Sequence, residues 1–337
     1  MNYGLPYKGS KSKLAARIIE CIPSAPVFVD LFCGGCAVAH AALLSGRFGK
    51  VVINDIEGDV SSLFVDAVNG RFRNETRWIS REDFFRLKDT EPYVRYCWSF
   101  GNNGRDYLYS KAVEPYKRAV HYAVVFGDFA ELRRLCPLVA DDAEKALEGL
   151  TTKKTRRVEI GRAIVRRLRG CKPEDLKSNP LYGQIRLKSG GTVRSQSLER
   201  LESLESLESL ERLESLQSLE RLERLQSLQS LERLQRLNMD YRNVPLPEGC
   251  VVYCDPPYAG MSGYGNATFD TDAFWEWARK CERPLFISEY AAPPDFVCVR
   301  EFSHLSSLSA TACNKVVERL FVPPHQFTRG ELSLFSF

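Results

Sequence analysis

The sequence predicts an α/β fold: a parallel sheet whose two halves are separated along the chain by a long insertion. Three observations predict it. Near the N-terminus an apolar run, Val27-Phe28-Val29-Asp30-Leu31-Phe32, ends in Cys33-Gly34-Gly35-Cys36, and a small-residue helix follows. A second apolar run, Gly249 to Cys254, ends in Asp255-Pro256-Pro257-Tyr258. The residues between are aromatic, basic and then leucine-rich, with helical spacing and few buried-strand runs. Strand, Gly-rich turn, helix and strand open a parallel sheet, and the return of that pattern late in the chain completes it.

Lys11 to Cys21 predicts a helix with Leu14, Ile18 and Ile19 on one side. Ala37 to Leu44 is the helix after the Gly-rich turn, and Val51 to Asp55 is the second strand. Residues 70–190 predict helices, and from Thr151 to Gly190 there are twelve Lys or Arg against three acids. Lys153, Lys154, Arg156, Arg157, Arg162, Arg166, Arg167 and Arg169 fall close together, with Val158, Ile160, Ile164 and Leu168 interleaved at helical spacing. That pattern fits a solvated basic helix, and it also fits a helix that displaces counterions from nucleic-acid phosphates.

Residues 197–237 have a strict period of three, with fourteen leucines from Leu198 to Leu237. A period of three is not a heptad, so a coiled coil is disfavoured. Successive leucines would step back by about 60° on an α-helix and line one ridge on a 3₁₀-helix. The segment is expected to form a helical rod, 3₁₀ in part, that acts as spacer or packing element. After it, Met239-Asp240-Tyr241 is expected to begin a short strand. Gly249–Cys254 is expected as a buried strand, Phe269–Cys281 as a helix, Leu285–Ser288 as a strand and Val316–Phe321 as a late strand.

Ligands of open α/β sheets bind beyond the C-terminal ends of the parallel strands. Three features stand there. Asp255-Pro256-Pro257-Tyr258 offers a carboxylate and a prolyl carbonyl on a backbone stiffened by two prolines. Such a pair of acceptors can hold both hydrogens of an exocyclic amine, favour a pyramidal nitrogen and free its lone pair. The adjacent aromatic gives an everted base a face to stack on. The Gly34-Gly35 turn lets backbone approach a cofactor closely. Asp55, closing the second strand, can accept hydrogen bonds from ribose hydroxyls.

In this order the three features resemble the Dam-like (alpha-group) adenine-N6 DNA methyltransferases, of phage or prophage type. The resemblance implies a Rossmann-like sheet dependent on S-adenosylmethionine, with a helical target-recognition lobe inserted between the cofactor motif and the Asp-Pro-Pro-Tyr motif. Residues 1–65 plus 239–337 would then be the catalytic domain, 66–196 the inserted lobe and 197–238 the leucine triplet repeat. The resemblance implies cofactor-binding roles for Tyr7 and Lys11 of Tyr7-Lys8-Gly9-Ser10-Lys11 and for Asp30, Phe32, Cys33, Gly34, Gly35, Asp55 and Asp240. Cys36 stands where the family has its last turn glycine. Asp255, Pro256, Pro257 and Tyr258 match the catalytic tetrad in full. Trp98-Ser99-Phe100-Gly101-Asn102-Asn103-Gly104-Arg105-Asp106-Tyr107 is similar to a segment of phage-type members. Asn102, Asn103 and Arg105 are therefore candidates for contacting double-stranded DNA, together with Lys153, Lys154, Arg156, Arg157, Arg166 and Arg167.

Three alternatives stand at this point: a cytosine-N4 or RNA methyltransferase of the same fold, a decayed DNA-binding protein, and a scaffold centred on the leucine repeat. Composition narrows the field. The chain has 337 residues, 44% hydrophobic and 27% charged, with a net charge of only +4, so positive charge for DNA must be local. No apolar stretch is long enough to span a membrane, and the basic start lacks the apolar core of a secretory leader. Eleven cysteines without disulfide-like regularity are expected to be reduced thiols in a bacterial or phage-infected cytoplasm. The scattered histidines and cysteines have no metal-ligand spacing, so no metal is expected.

Overall fold

The computed structural model describes residues 3–7, 9–170, 214–225, 231–257, 269–306 and 314–326. Tight Cα packing divides the chain into two units, Met1–Arg73 with Arg221–Phe337, and Asn74–Glu220.

The first unit is built on a seven-stranded sheet. Its strands are β1 (Ala25–Asp30), β2 (Phe48–Asn54), β3 (Leu234–Leu237), β4 (Cys250–Cys254), β5 (Leu285–Glu289), β6 (Val297–Ser306) and β7 (Asn314–Val322). The order across the sheet is β3-β2-β1-β4-β5-β7-β6. β1 to β5 are parallel, while β7 runs antiparallel between β5 and β6. The central strands are buried along their inner halves, as expected for near-continuous Val, Ile and Phe runs covered on both faces. Helices α1 (Ala15–Glu20), α2 (Ala37–Ser45) and α3 (Gly58–Val68) belong to this unit. The order reverses between β1 and β4, the switch point at which such sheets open a crevice.

The second unit is helical: α4 (Arg81–Leu87), α5 (Pro92–Cys97), α6 (Glu114–Phe126), α7 (Ala130–Leu135), α8 (Pro137–Leu147) and α9 (Lys153–Gly170). Its aromatic residues form the core. Trp78 stacks on Tyr109 with centroids 5.6 Å apart, and meets Trp98 edge-on at 5.1 Å. The next helix, α10 (Glu214–Leu225), passes through the boundary at 220/221, and α11 (Thr271–Lys280) packs on the sheet of the first unit.

Two expectations are corrected. The repeat is not one rod among its described residues. Glu214–Leu225 is α-helical with Leu216, Leu219, Leu222 and Leu225 buried, Leu231–Arg233 is a 3₁₀ turn, and Leu234–Leu237 is the edge strand β3. The strand expected at 239–241 therefore lies inside the repeat. Side-chain amides stop the pairing at its end. Asn54 exchanges two hydrogen bonds with the Met239 backbone, at 3.0 and 3.1 Å, and Asn238 donates to the carbonyls of Asp55 and Ile56. Asp240 then caps the 3₁₀ turn Tyr241–Asn243 by accepting from the Arg242 N–H. Strand β6 was not foreseen. No helix among the described residues is long and apolar enough to cross a membrane.

Candidate active site

The two motif-bearing strand ends are neighbours. Asp30 of β1 pairs in register with Tyr253 of β4, and the Leu31 N–H donates to the Tyr253 carbonyl at 3.0 Å. Phe32 and Asp255 thus leave adjacent strands at the same level. The Gly-rich turn and the Asp-Pro-Pro segment share one edge of the sheet, the edge at which such folds bind their ligands. Tyr258 lies outside the described residues, as does Lys8.

The turn is built by close approach. The Leu5 N–H donates to the Gly35 carbonyl at 2.7 Å, and the Gly4 N–H to His40 Nδ1 at 2.9 Å. A Cβ at Gly35 would lie 2.8 Å from the Tyr7 Cβ, so only glycine lets the N-terminal segment cross here. Burial, with Arg221 and Arg224 adding to it, holds the His40 imidazole down to about 4, which keeps Nδ1 an acceptor at neutral pH. Cys36 ends the turn at φ +56°, in the left-handed region. The residue standing in for glycine therefore takes glycine's conformation. Cys33 and Cys36 are free thiols, and burial pushes both up, away from the reactive thiolate.

Acids gather at this edge. Asp30 is buried, and its Oδ1 has no hydrogen-bond partner among the described atoms. Burial, then the neighbouring charges of Asp255 and Asp55, push its carboxyl well above the usual range. Asp55 accepts from the Gly34 N–H at 2.8 Å and the Glu57 N–H at 2.9 Å. Burial nevertheless raises it to about 6. Asp255 Oδ1 accepts from Lys11 Nζ at 2.8 Å, and that ammonium lies 3.1 Å from Glu318 Oε1 on β7. Burial opposes the Lys11 charge, but the two carboxylates more than offset it and hold the pKa above the ordinary lysine range. Pro256 is buried and Pro257 partly so.

Phe32 meets Tyr241, Phe269 and Phe274 at centroid distances of 5.2, 5.7 and 5.7 Å, an aromatic wall beside the turn. Asp240 is at the surface and paired with Arg242 at 2.7 Å, which holds its carboxyl below the usual range.

Two acids escaped the sequence reading in different ways. Glu289 ends β5, and burial, with Asp255 and Glu318 adding like charge, pushes it up to about 8. Glu318 was not foreseen. Its signal was an acid in a strand at the alternation shared with Leu320, which is a core position.

In the helical unit, Asn102 and Asn103 shape their own loop. Asn102, at φ +55°, donates to the Tyr96 carbonyl at 2.8 Å, and Asn103 Oδ1 accepts from the N–H groups of Arg105 and Asp106. Arg105 and Phe100 on the same loop are exposed. Along α9, Lys153 donates to the Glu75 carbonyl, Arg156 to the Ala123 carbonyl and Arg157 to both oxygens of Glu220. Arg167 lies 3.5 Å from Asp142, while Lys154 and Arg166 are exposed. Four of these six cations thus have partners within the helical unit. Among the described residues no group of three His, Cys, Asp or Glu could hold a metal ion.

No curated protein matches the chain. Residues 7–137 match the family model described as D12 class N6 adenine-specific DNA methyltransferase, a stretch that runs from Tyr7 through the Gly-rich turn and Asp55 to the start of α8. The chain carries this domain on a Rossmann-like methyltransferase sheet and is a site-specific, adenine-N6 DNA methyltransferase.

Proposed function

We propose that the methyl donor is S-adenosylmethionine, bound across the Gly34-Gly35 turn, and that Asp255 and Pro256 present the target adenine amine to it. When bound, S-adenosylmethionine supplies an electrophilic methyl group on a sulfonium. The residues fit such a cation: burial, with Asp255 and Asp55 adding to it, raises the proton affinity of Asp30, and Asp30 keeps a buried oxygen without a partner. Tyr7, Lys11, Phe32 and Cys33 complete the edge of that crevice, and Asp55 would accept from ribose hydroxyls. Asp240, already paired with Arg242, would reach the adenine end only by sharing its carboxylate.

At the amine, the Asp255 carboxylate and the Pro256 carbonyl accept its two hydrogens, which localises the nitrogen lone pair for in-line attack. This needs neither a covalent intermediate nor a metal. The target adenine reaches the crevice by extrusion from the duplex, and Tyr258 offers the stacking face. Extrusion costs a few kcal/mol, which phosphate and groove contacts must repay. Asn74–Glu220 would be the target-recognition unit, with Arg105, Lys154 and Arg166 as exposed cations for the backbone. Asn102, Asn103, Lys153, Arg156, Arg157 and Arg167 would hold those surfaces in shape while lending what charge remains to them. Self-association through the repeat, which its unbroken leucine period also allows, would rest on leucines other than the four of α10, because those are buried within the chain.

The observation that carries the proposal is the register of Asp30 with Tyr253, which brings the turn and the Asp-Pro-Pro segment to one edge. The test is Asp255→Ala in a tritium-transfer assay on unmethylated DNA. Turnover is expected to fall by at least a thousandfold while S-adenosylmethionine still binds within a few-fold of wild type. Retained turnover would remove Asp255 from the mechanism.

A further inference from the structure

The carboxylate of Asp255 is not placed by β4 alone. Lys11 Nζ bridges it to Glu318, at 2.8 and 3.1 Å. Lys11 is 8% exposed and Glu318 3%, against 20% for Asp255. Glu318 arrives from β7, two strands away from β4 in the sheet, and shares its face with Leu320. A buried ion pair is a poor stabiliser compared with apolar side chains of the same size, because both charges lose their water. A carboxylate at a core position of β7 therefore asks for a purpose beyond packing.

We propose that Glu318 is a positioning residue for methyl transfer, acting through the Lys11 ammonium on Asp255; this rests on the assignment of Asp255 as the acceptor of the target amine. The ammonium, anchored between carboxylates on two strands, fixes Asp255 Oδ1 and with it the orientation of the carboxylate that meets the amine. Charge works in the same direction. A lysine paired with Asp255 alone would neutralise it and weaken it as an acceptor. Glu318 takes a share of the ammonium, so Asp255 keeps its acceptor strength without being left as an uncompensated buried charge. Glu289 stands near the same groups, and a carboxyl raised to about 8 is largely neutral at pH 7, so it does not compete for Lys11.

The test compares the full-length wild-type chain with Glu318→Gln, Glu318→Asp and Asp255→Ala, using tritiated S-adenosylmethionine and unmethylated genomic DNA. Glu318→Gln keeps the size of the side chain and removes its charge. Its kcat is expected to fall tenfold or more, with KM for S-adenosylmethionine and the melting midpoint close to wild type. Glu318→Asp keeps the charge with a shorter reach and is expected to recover part of the loss. Wild-type kcat in Glu318→Gln overturns the proposal, and so does a defect confined to cofactor affinity. Should Glu318→Gln not fold, Glu318→Asp carries the test: a lowered kcat at unchanged KM supports the proposal, and wild-type turnover overturns it. Asp255→Ala separates the two levels. Full turnover there overturns the reading of the site itself, whereas an inert Asp255→Ala beside a fully active Glu318→Gln removes Glu318 alone.

Discussion

Cys36 holds a conformation that costs an L-residue roughly 1–2 kcal/mol, at φ +56° with its side chain fully buried. Two opposing effects follow. Glycine would relieve the backbone but lose the buried thiol and gain unfolded-state entropy; a β-branched residue would add strain at Cβ. Cys36→Gly is expected to keep stability within about 1 kcal/mol and to bind S-adenosylmethionine as wild type, while Cys36→Val loses about 2 kcal/mol or more. Denaturant titration and calorimetric cofactor binding check both. Asp55 gives a pH signature. Its pKa is raised to about 6, so it becomes neutral as pH falls through 6 and can no longer serve as a full acceptor for ribose hydroxyls. Cofactor affinity is expected to fall between pH 7 and pH 5, and Asp55→Asn to bind weakly with little pH dependence over that span. The sign for folding is opposite. A carboxyl with a raised folded-state pKa takes up its proton more readily in the folded chain, so Asp55 adds stability on acidification from 6 towards 4. Lost affinity in that window would thus report ligand binding rather than unfolding through Asp55. At this scale the sequence made Asp30, Asp55, Asp255 and the Gly34-Gly35 turn legible, because each follows directly from an apolar strand. It could not show Glu318 or the Lys11 bridge, since those depend on which strand lies beside which.

The leucine repeat shows how little a local period decides once tertiary partners exist. One triplet pattern yields the helix α10, a 3₁₀ turn and the edge strand β3 within 24 residues, 214–237. In α10 four leucines at steps of three drift through about 180° of the helix circumference, and all four are buried. In β3 the same spacing puts Leu234 and Leu237 on opposite faces, which an edge strand tolerates. Arg236 anchors that strand by donating to the Ser61 hydroxyl and the Gly58 carbonyl at the start of α3. The sequence could not reveal this, because leucine, glutamate and arginine favour helix and only β2's open edge makes a strand of them. Leu222→Ala, at a fully buried position, is expected to cost about 2–4 kcal/mol. Gln217→Ala on the exposed side of the same helix is expected to stay within about 0.5 kcal/mol. Thermal or urea melts of the two variants distinguish a packed helix from a loose spacer, which would register both changes alike.

Over the whole molecule, the sheet is assembled from sequence-distant halves, and the site exists only because they meet. β1 and β2 come before the helical unit, while β3, β4, β5, β6 and β7 come after it. This split was legible from hydrophobic patterning alone, since buried parallel strands read as short apolar runs and the segment between them has few. The order across the sheet and the antiparallel placement of β7 were not, because patterning marks strands without naming their neighbours. In the proposed reading the assembled edge offers acceptors for an exocyclic amine and acids suited to a cationic methyl donor, while the choice of adenine over cytosine rests on the family match. The most direct test is mass spectrometry of nucleosides digested from the DNA of cells that lack adenine methylation of their own and express this chain. The account predicts N6-methyladenine with the wild-type chain and none with Asp255→Ala. N4-methylcytosine in its place, or unmodified DNA from cells containing the folded wild-type chain, would contradict it.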